Sequence, residues 1–270
     1  IYGEPWTGGG PTYFPKGAQR SMGIAVFNDH FRNAIRGDLD GDATGFASGP
    51  WGDTASIRRG VVGAIDDFTD GPSETINYAS AHDNLTLFDK ITRVTPDVDD
   101  ATRRRMQNLA HAAVLTAQGV AFIHGGADLA RTKGGNHNSY NASDDVNKFD
   151  WPRKHAYRDV FEYTRGLIEL RKSHPAFRMR TTGDIRRQTK MLETDDERLV
   201  AWALDGRAAG DEWESIIVAL NGSDIEQSLE LPNGRWDVVV DDATAGTETL
   251  RTERGTLTVP PYSALVLKRD

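Results

Sequence analysis

The stretch Ile76–Leu87, INYASAHDNLTL, decides how this chain is read. It begins as a short strand-like run, with Ile76 and Tyr78 followed by small residues, and ends in the polar trio His82-Asp83-Asn84. A buried strand that stops at such a trio delivers ionisable and hydrogen-bonding groups to the mouth of a fold. In parallel α/β proteins that mouth, at the carboxyl ends of the strands, is where active-site groups gather. The trio also suits a plain turn, because Asp and Asn bond their own backbone readily. The flanking sequence bears on the choice.

Towards the N-terminus, Ser56 to Asp67 predicts a short helix with Ile57, Val61, Val62 and Ile65 on one side. Residues 37 to 54 form an Asp/Gly-rich loop that contains Phe46 and Trp51. Asn28 to Gly37 has helical spacing through Phe31 and Ile35 and stops at a glycine. Met22–Phe27 has strand length and strand character, and residues 1 to 22 are a loop rich in Gly, Pro and Thr. Ile1–Gly3 reads as the tail of a strand already in progress, which leads us to expect a chain cut from something larger.

Towards the C-terminus, a helix is expected from about Ala101 to Gln118, with Met106, Leu109, Ala110, Ala113, Val114 and Ala117 at i, i+3, i+4 spacing. Val120–Ile123 is a buried-strand candidate that runs into His124-Gly125-Gly126. A polar loop follows from Arg131 to Asp150. Pro152 then opens a helix whose inner face is read as Tyr157, Val160, Phe161, Thr164, Leu167 and Ile168. From about Thr181 helical periodicity fades. Short β runs recur at 199–204, 215–221, 236–240, 257–259 and 264–267, with a turn signal at Asn233-Gly234.

Strands alternating with helices predict a parallel sheet with crossover connections, and the later strands predict a separate antiparallel domain starting near residue 178. Four βα units could make a small open sheet or half of an eight-stranded barrel.

Composition narrows the function. The chain has 270 residues, of which 38% are hydrophobic and 27% charged, as in an ordinary globular protein. Nothing approaches the roughly 18 unbroken apolar residues of a membrane span. The net charge of -8 argues against nucleic acid as a partner. Arg103-Arg104-Arg105, the densest basic run, sits close to Asp97, Asp99 and Asp100 and reads as the solvated start of a helix. There are no cysteines, so disulfide and thiolate chemistry are excluded. No His/Cys spacing typical of zinc occurs.

Taken together, several motifs resemble the type I pullulanases of the α-amylase superfamily of glycoside hydrolases. YGEPW at 2–6 is similar to that superfamily's general-acid motif on the fifth barrel strand. FNDHFRNAIRG at 27–37 is similar to the sixth-strand region of its debranching members, and SAHDN at 80–84 to the seventh-strand motif. GGADLARTKGGNHNSYNASDDVNKFDW at 125–151 resembles the eighth-strand loop. The likeness continues through VFEYTRGLIELRKSHPAFR at 160–178 and into the β domain, so it covers essentially the whole chain.

The resemblance implies an α/β fold: the second half of a (β/α)8 barrel over 1–177, then an antiparallel β-sandwich over 178–270. It implies retaining hydrolysis of α-1,6 branch linkages in pullulan, amylopectin or limit dextrins, with Glu4 as acid/base and Asp83 as the carboxylate that orients the sugar at the cleavage point. His82, Trp6 and Asn84 would contact sugar, and Arg131, Asn141 and Asp144 could do so at outer subsites. For the last three, turn capping is an equal alternative. Phe46 and Trp51 could stack on glucose rings or form the loop's own small core.

In the family the nucleophilic Asp lies on the fourth strand, two residues after an Arg, and this chain starts after both. Alone it is therefore expected to be inactive, and its open sheet edge is expected to drive self-association. Gly126-Ala127-Asp128 stands where the family usually has Gly-Glu-Glu. No cofactor is required by this chemistry, although calcium is common in the superfamily. An extracellular or cell-surface setting suits such a chain. The alternatives are a non-catalytic α-glucan-binding remnant and an isoamylase- or neopullulanase-like hydrolase.

Overall fold

Why the chain divides into a parallel and an antiparallel part is clearest from where its apolar residues fall. The computed structural model describes residues 1–6, 10, 13–49 and 52–270. The first part holds four very short parallel strands, β1 (Tyr2–Gly3), β2 (Ala25–Phe27), β3 (Thr75–Asn77) and β4 (Val120–Ala121), in the order β1-β2-β3-β4. Alternation along the strands sends Ala25, Phe27, Ile76 and Tyr78 to one face of this sheet, while Val26 packs with Ala64 and Phe68 on the other. Phe27 meets Tyr78 edge-on at 4.7 Å, Phe122 at 5.3 Å and Tyr2 at 5.8 Å. One aromatic ring from each strand, or from the residue after it, thus forms a cluster on that face.

Two helices, α1 (Asp29–Arg36) and α2 (Thr54–Val61), connect β2 to β3. Another two, α3 (Leu87–Val94) and α4 (Asp100–Thr116), connect β3 to β4. Each begins at a side-chain cap: Asn28, Asp53, Thr86 and Asp99 accept a backbone N–H from the first turn. α1 stops at Gly37, whose φ of 88° suits glycine. α3 is not foreseen in the sequence reading. β4 corrects the buried-strand expectation, because it lies at the sheet edge with Val120 42% exposed. Arg103, Arg104 and Arg105 are taken up locally: Arg103 Nη2 donates to Thr95 O at 2.6 Å, Arg104 pairs with Asp100 and Asp159, and Arg105 bonds Thr102.

After β4 the chain forms the short α5 (Asp144–Asn147) and α6 (Arg153–Ala156), then α7 (Arg158–Ser173). The inner face of α7 differs from the expectation. Val160, Tyr163, Thr164, Leu167 and Leu170 are buried, whereas Ile168 is 40% exposed. A break at Tyr157 restarts the helix and rotates its phase. One more helix, α8 (Thr182–Gln188), occupies a stretch where helical periodicity was expected to have faded.

The remaining strands are β5 (Thr189–Met191), β6 (Leu199–Asp205), β7 (Ser215–Asn221), β8 (Gln227–Glu230), β9 (Trp236–Val240), β10 (Arg251–Glu253), β11 (Thr256–Val259) and β12 (Ser263–Arg269). They form an antiparallel sheet of order β10-β9-β12-β7-β6-β5 and a small β11-β8 sheet. The larger sheet is covered on both sides. Val200, Trp202, Ile216, Val218 and Val266 join the core shared with α4 and α7, while Leu199, Ala201, Ile217 and Leu267 pack on Leu229, Leu257 and Val259 of the small sheet. Double coverage is why β7 and β12 read as nearly unbroken apolar runs. α4 is buried all round from Met106 to Thr116, polar residues included, because it lies between that sheet and the helices α1, α2, α3 and α7.

Candidate active site

The carboxyl ends of β1 and β3 open into a cleft of about 300 Å³, lined by Glu4 and Trp6 on one side and His82, Asp83 and Asn84 on the other. One ligand atom from each of Glu4, His82 and Asp83 lies within 4.8 Å of the other two, and all three residues are exposed. Trp6 Nε1 donates to Glu4 Oε2 at 3.1 Å, and His82 Nε2 stands 3.4 Å from Asp83 Oδ1. Ile1 is wholly exposed, so it supplies no apolar wall around Glu4.

Beneath this acidic rim lies a cationic floor. Arg32 and Arg36, one helical turn apart on α1, line the cleft although both are buried. Arg32 Nη1 donates to Tyr78 Oη at 2.6 Å, and Arg36 Nη2 donates to Leu39 O at 3.0 Å. Burial, then the charge of Arg32, lowers the Arg36 guanidinium to about 10, so it stays charged at neutral pH. Behind the floor, Lys16 pairs with Asp29, and burial holds its ammonium down to about 8. Two arginine guanidiniums thus lie under a rim that carries two carboxylates.

The loop after β4 lies beside the cleft and touches the segment that bears His82, without lining the cleft itself. Burial first, then the charges of Arg131 and Lys133, lowers His124 to about 4, which leaves it neutral at physiological pH. Lys133 Nζ donates to Ser139 Oγ at 2.5 Å and reaches His82 O at 3.5 Å. Arg131 does not line the cleft: its guanidinium donates to Gly125 O at 3.0 Å and to Asn147 O, over the Phe149 ring. Asn141 and Asp144 are exposed and also lie outside the cleft lining, with Asp144 opening α5. Asp128 sits in a 3-10 turn (Ala127–Leu129), and burial raises its carboxyl. Phe46 is 2% exposed and cannot stack on a sugar; Trp51 lies outside the described residues.

Among the described residues, Glu4, His82 and Asp83 are the one cluster of three groups close enough to share a metal. Calcium takes six to eight oxygen ligands, and a set with two carboxylates and an imidazole does not fit it. The run Asp38-Leu39-Asp40-Gly41-Asp42 is spaced like a calcium loop, yet its carboxylates are engaged by Lys90, by Asn84 with the Leu85 amide, and by Arg93.

A family model described as the pullulanase all-beta domain matches residues 185–244. A pullulanase of Bacillus subtilis (strain 168) is 39% identical over 244 residues, which cover 86% of this chain and 34% of that protein. The solved pullulanase from Bacillus acidopullulyticus aligns with 99% of this chain and 34% of its own, at a TM-score of 0.96 and 46% identity. By sequence and by fold, this chain is a pullulanase homologue. The crystal structure of type I pullulanase from Bacillus subtilis str. 168, complexed with maltose, aligns with 100% of this pullulanase homologue and 39% of its own chain, at a TM-score of 0.93 and 35% identity. The homologue thus spans about a third of the length of the relatives it matches.

Sequence reasoning missed Arg32, Arg36 and Lys133 in this pullulanase homologue. The available signal was position: Arg32 and Arg36 directly follow Phe31 and Ile35, so each borders the buried stripe of its helix. Lys133 carried no comparable signal, since its burial depends on a loop folding back over α3.

Proposed function

We propose that this chain is the C-terminal part of a debranching glycoside hydrolase that cleaves α-1,6 linkages in pullulan, amylopectin and limit dextrins with retention. In this reading residues 1–177 are the second half of a (β/α)8 barrel, and residues 178–270 are a β-sandwich packed on it. The observation that carries it is the convergence of Glu4, His82 and Asp83 within 4.8 Å at the ends of two parallel strands. Homology to pullulanases and the maltose held by a solved relative support a glucan as the occupant.

Retaining glycosidases pair a nucleophilic carboxylate with an acid/base carboxyl about 5–5.5 Å away. Glu4 is the acid/base: it protonates the leaving glycosidic oxygen and later takes a proton from the attacking water. Trp6, through its bond to Glu4 Oε2, holds the other carboxyl oxygen free for that exchange. Asp83 and His82 bond the hydroxyls of the sugar at the cleavage point and favour its flattened, oxocarbenium-like transition state. The nucleophile comes from a strand upstream of Ile1.

The test is reducing-sugar release from pullulan by the chain expressed with the residues encoded upstream of Ile1. Glu4→Gln is expected to lower kcat by about 10²–10⁴, the usual contribution of an acid/base group. A variant as active as the parent would sink the assignment. Calorimetry of the 270-residue chain with maltotriose separately reads sugar binding without turnover.

A further inference from the structure

Asp83 takes its position from the turn that carries it. Its side chain is 64% exposed with His82 as its neighbour at 3.4 Å, so neighbouring packing does little to aim the carboxylate. The next residue, Asn84, has a φ of 66°, in the left-handed region that non-glycine residues seldom enter. Such a conformation persists only where its surroundings impose it.

Asp40 imposes it. Asn84 Nδ2 donates to Asp40 Oδ2 at 2.8 Å, and the Leu85 backbone N–H donates to Asp40 Oδ1 at 3.0 Å. One carboxylate therefore grips the turn on both sides of the Asn84–Leu85 peptide. Downstream the chain is already fixed: Leu85 is 1% exposed, and Thr86 caps α3 by accepting from Asp89 N at 3.1 Å. Asp40 is anchored in turn. Its loop leaves α1 at Gly37, where an added Cβ would meet Ala43 O at 2.0 Å, and Lys90, fully buried, pairs with Asp38 and donates to Gly41 O at 2.8 Å. His137, from the loop after β4, stands 3.4 Å from Asp40 Oδ2. The carboxylate is thus the point where the loop after α1, the loop after β4 and the turn bearing Asp83 meet.

We propose that Asp40 is a positioning residue for the hydrolytic reaction: acting through Asn84 and the Leu85 amide, without touching sugar, it sets where Asp83 presents its carboxylate. This rests on the debranching reading above. A displacement of Asp83 by about 1 Å costs on the order of 10²-fold in rate. The loss falls on kcat, because Asp83 acts in the transition state.

The experiment uses the chain with its upstream residues and measures kcat and KM on pullulan. Asp40→Ala is expected to lower kcat about 10- to 100-fold with KM within about twofold. Asp40→Asn, which keeps one acceptor oxygen for the Leu85 amide, is expected to recover part of that loss. Asn84→Ala should lower kcat as well, and the Asp40→Ala/Asn84→Ala pair should fall no further than Asp40→Ala alone, because the two act as one unit. Asp42→Ala, which removes only a pair with exposed Arg93, serves as the control and should retain kcat. A rise in KM with kcat unchanged, a folded Asn84→Ala enzyme at parental kcat, or losses that multiply in the double variant would each overturn the proposal. An inactive parent would defeat the debranching reading instead. Asp40 is then judged by amide exchange in the 270-residue chain: faster exchange at Leu85 in Asp40→Ala, which removes the acceptor, supports its role, and unchanged exchange there refutes it.

Discussion

His111 shows at the scale of one residue how burial sets chemistry. It lies 1% exposed in α4, with Nδ1 2.9 Å from Thr164 Oγ1 and Nε2 3.2 Å from Gln107 Nε2. The Thr164 hydroxyl itself donates to Val160 O at 2.8 Å, so Nδ1–H is the donor to Thr164 and Nε2 accepts from Gln107. Both ring nitrogens are satisfied in the neutral form, and burial lowers the pKa to about 4. An unfolded histidine titrates near 6.5. Between those values the unfolded chain binds a proton that the folded chain refuses, so stability falls as pH drops from about 6.5 to about 4, by roughly 3 kcal/mol at the end. His124, also lowered to about 4, acts in the same direction. Asp196, held near 2 chiefly by its bond to Arg198, contributes only in the acid range below about 4. Urea titrations of the 270-residue chain at pH 7 and pH 4.5 should show the midpoint falling, and His111→Gln should shrink that difference. An undiminished difference would place the proton uptake elsewhere. The candidate site residues Glu4, His82 and Asp83 were legible because each belongs to a compact local motif. Asp40 and Lys133 were not, because the contacts that tie them to the turn bearing Asp83 span 44 or more residues.

Between elements, close packing of α1 on α2 makes Gly60 a sensitive position. A Cβ there would lie 2.1 Å from Phe31 Cδ2 and 2.4 Å from Cγ, inside a ring that is wholly buried. On helix propensity alone alanine should stabilise α2 by up to about 1 kcal/mol. The clash is the larger effect, since overpacking a core costs about 1–3 kcal/mol. Gly60→Ala is therefore expected to lower the melting temperature by several degrees; a higher one would mean that the helices separate freely. The helices α1, α2, α4 and α7 could be anticipated from their apolar spacing or their glycine and proline boundaries. α3 escaped because the polar trio before it drew the reading towards a loop. β5, β8 and β10 escaped because three or four polar-rich residues at a sheet edge carry little periodicity.

For the whole molecule, the core shared by α4, α7 and the six-stranded sheet makes the parallel and antiparallel parts mutually dependent. The four-stranded sheet is different, because both its edge strands are only two residues long and bear exposed apolar residues. Ile1 is 100%, Tyr2 58% and Val120 42% exposed. Edges of this kind pair with other chains. The isolated 270-residue chain is expected to self-associate, and light scattering at micromolar concentration should report a mass above that of one chain. A clean 29.7 kDa monomer would remove this argument.

From the sequence alone came the alternation of strand and helix in the first part, the β texture of the last third, and the candidate motif residues Glu4, His82 and Asp83. All of these are local signals, written in periodicity or short spacing. Only the tertiary structure decided that one carboxylate from the loop after α1 grips the turn bearing Asp83, that two arginines underlie the cleft, and that Arg131 is held by main-chain carbonyls. Such outcomes depend on which distant segments meet, and burial, not residue type, determines what each charged group then does.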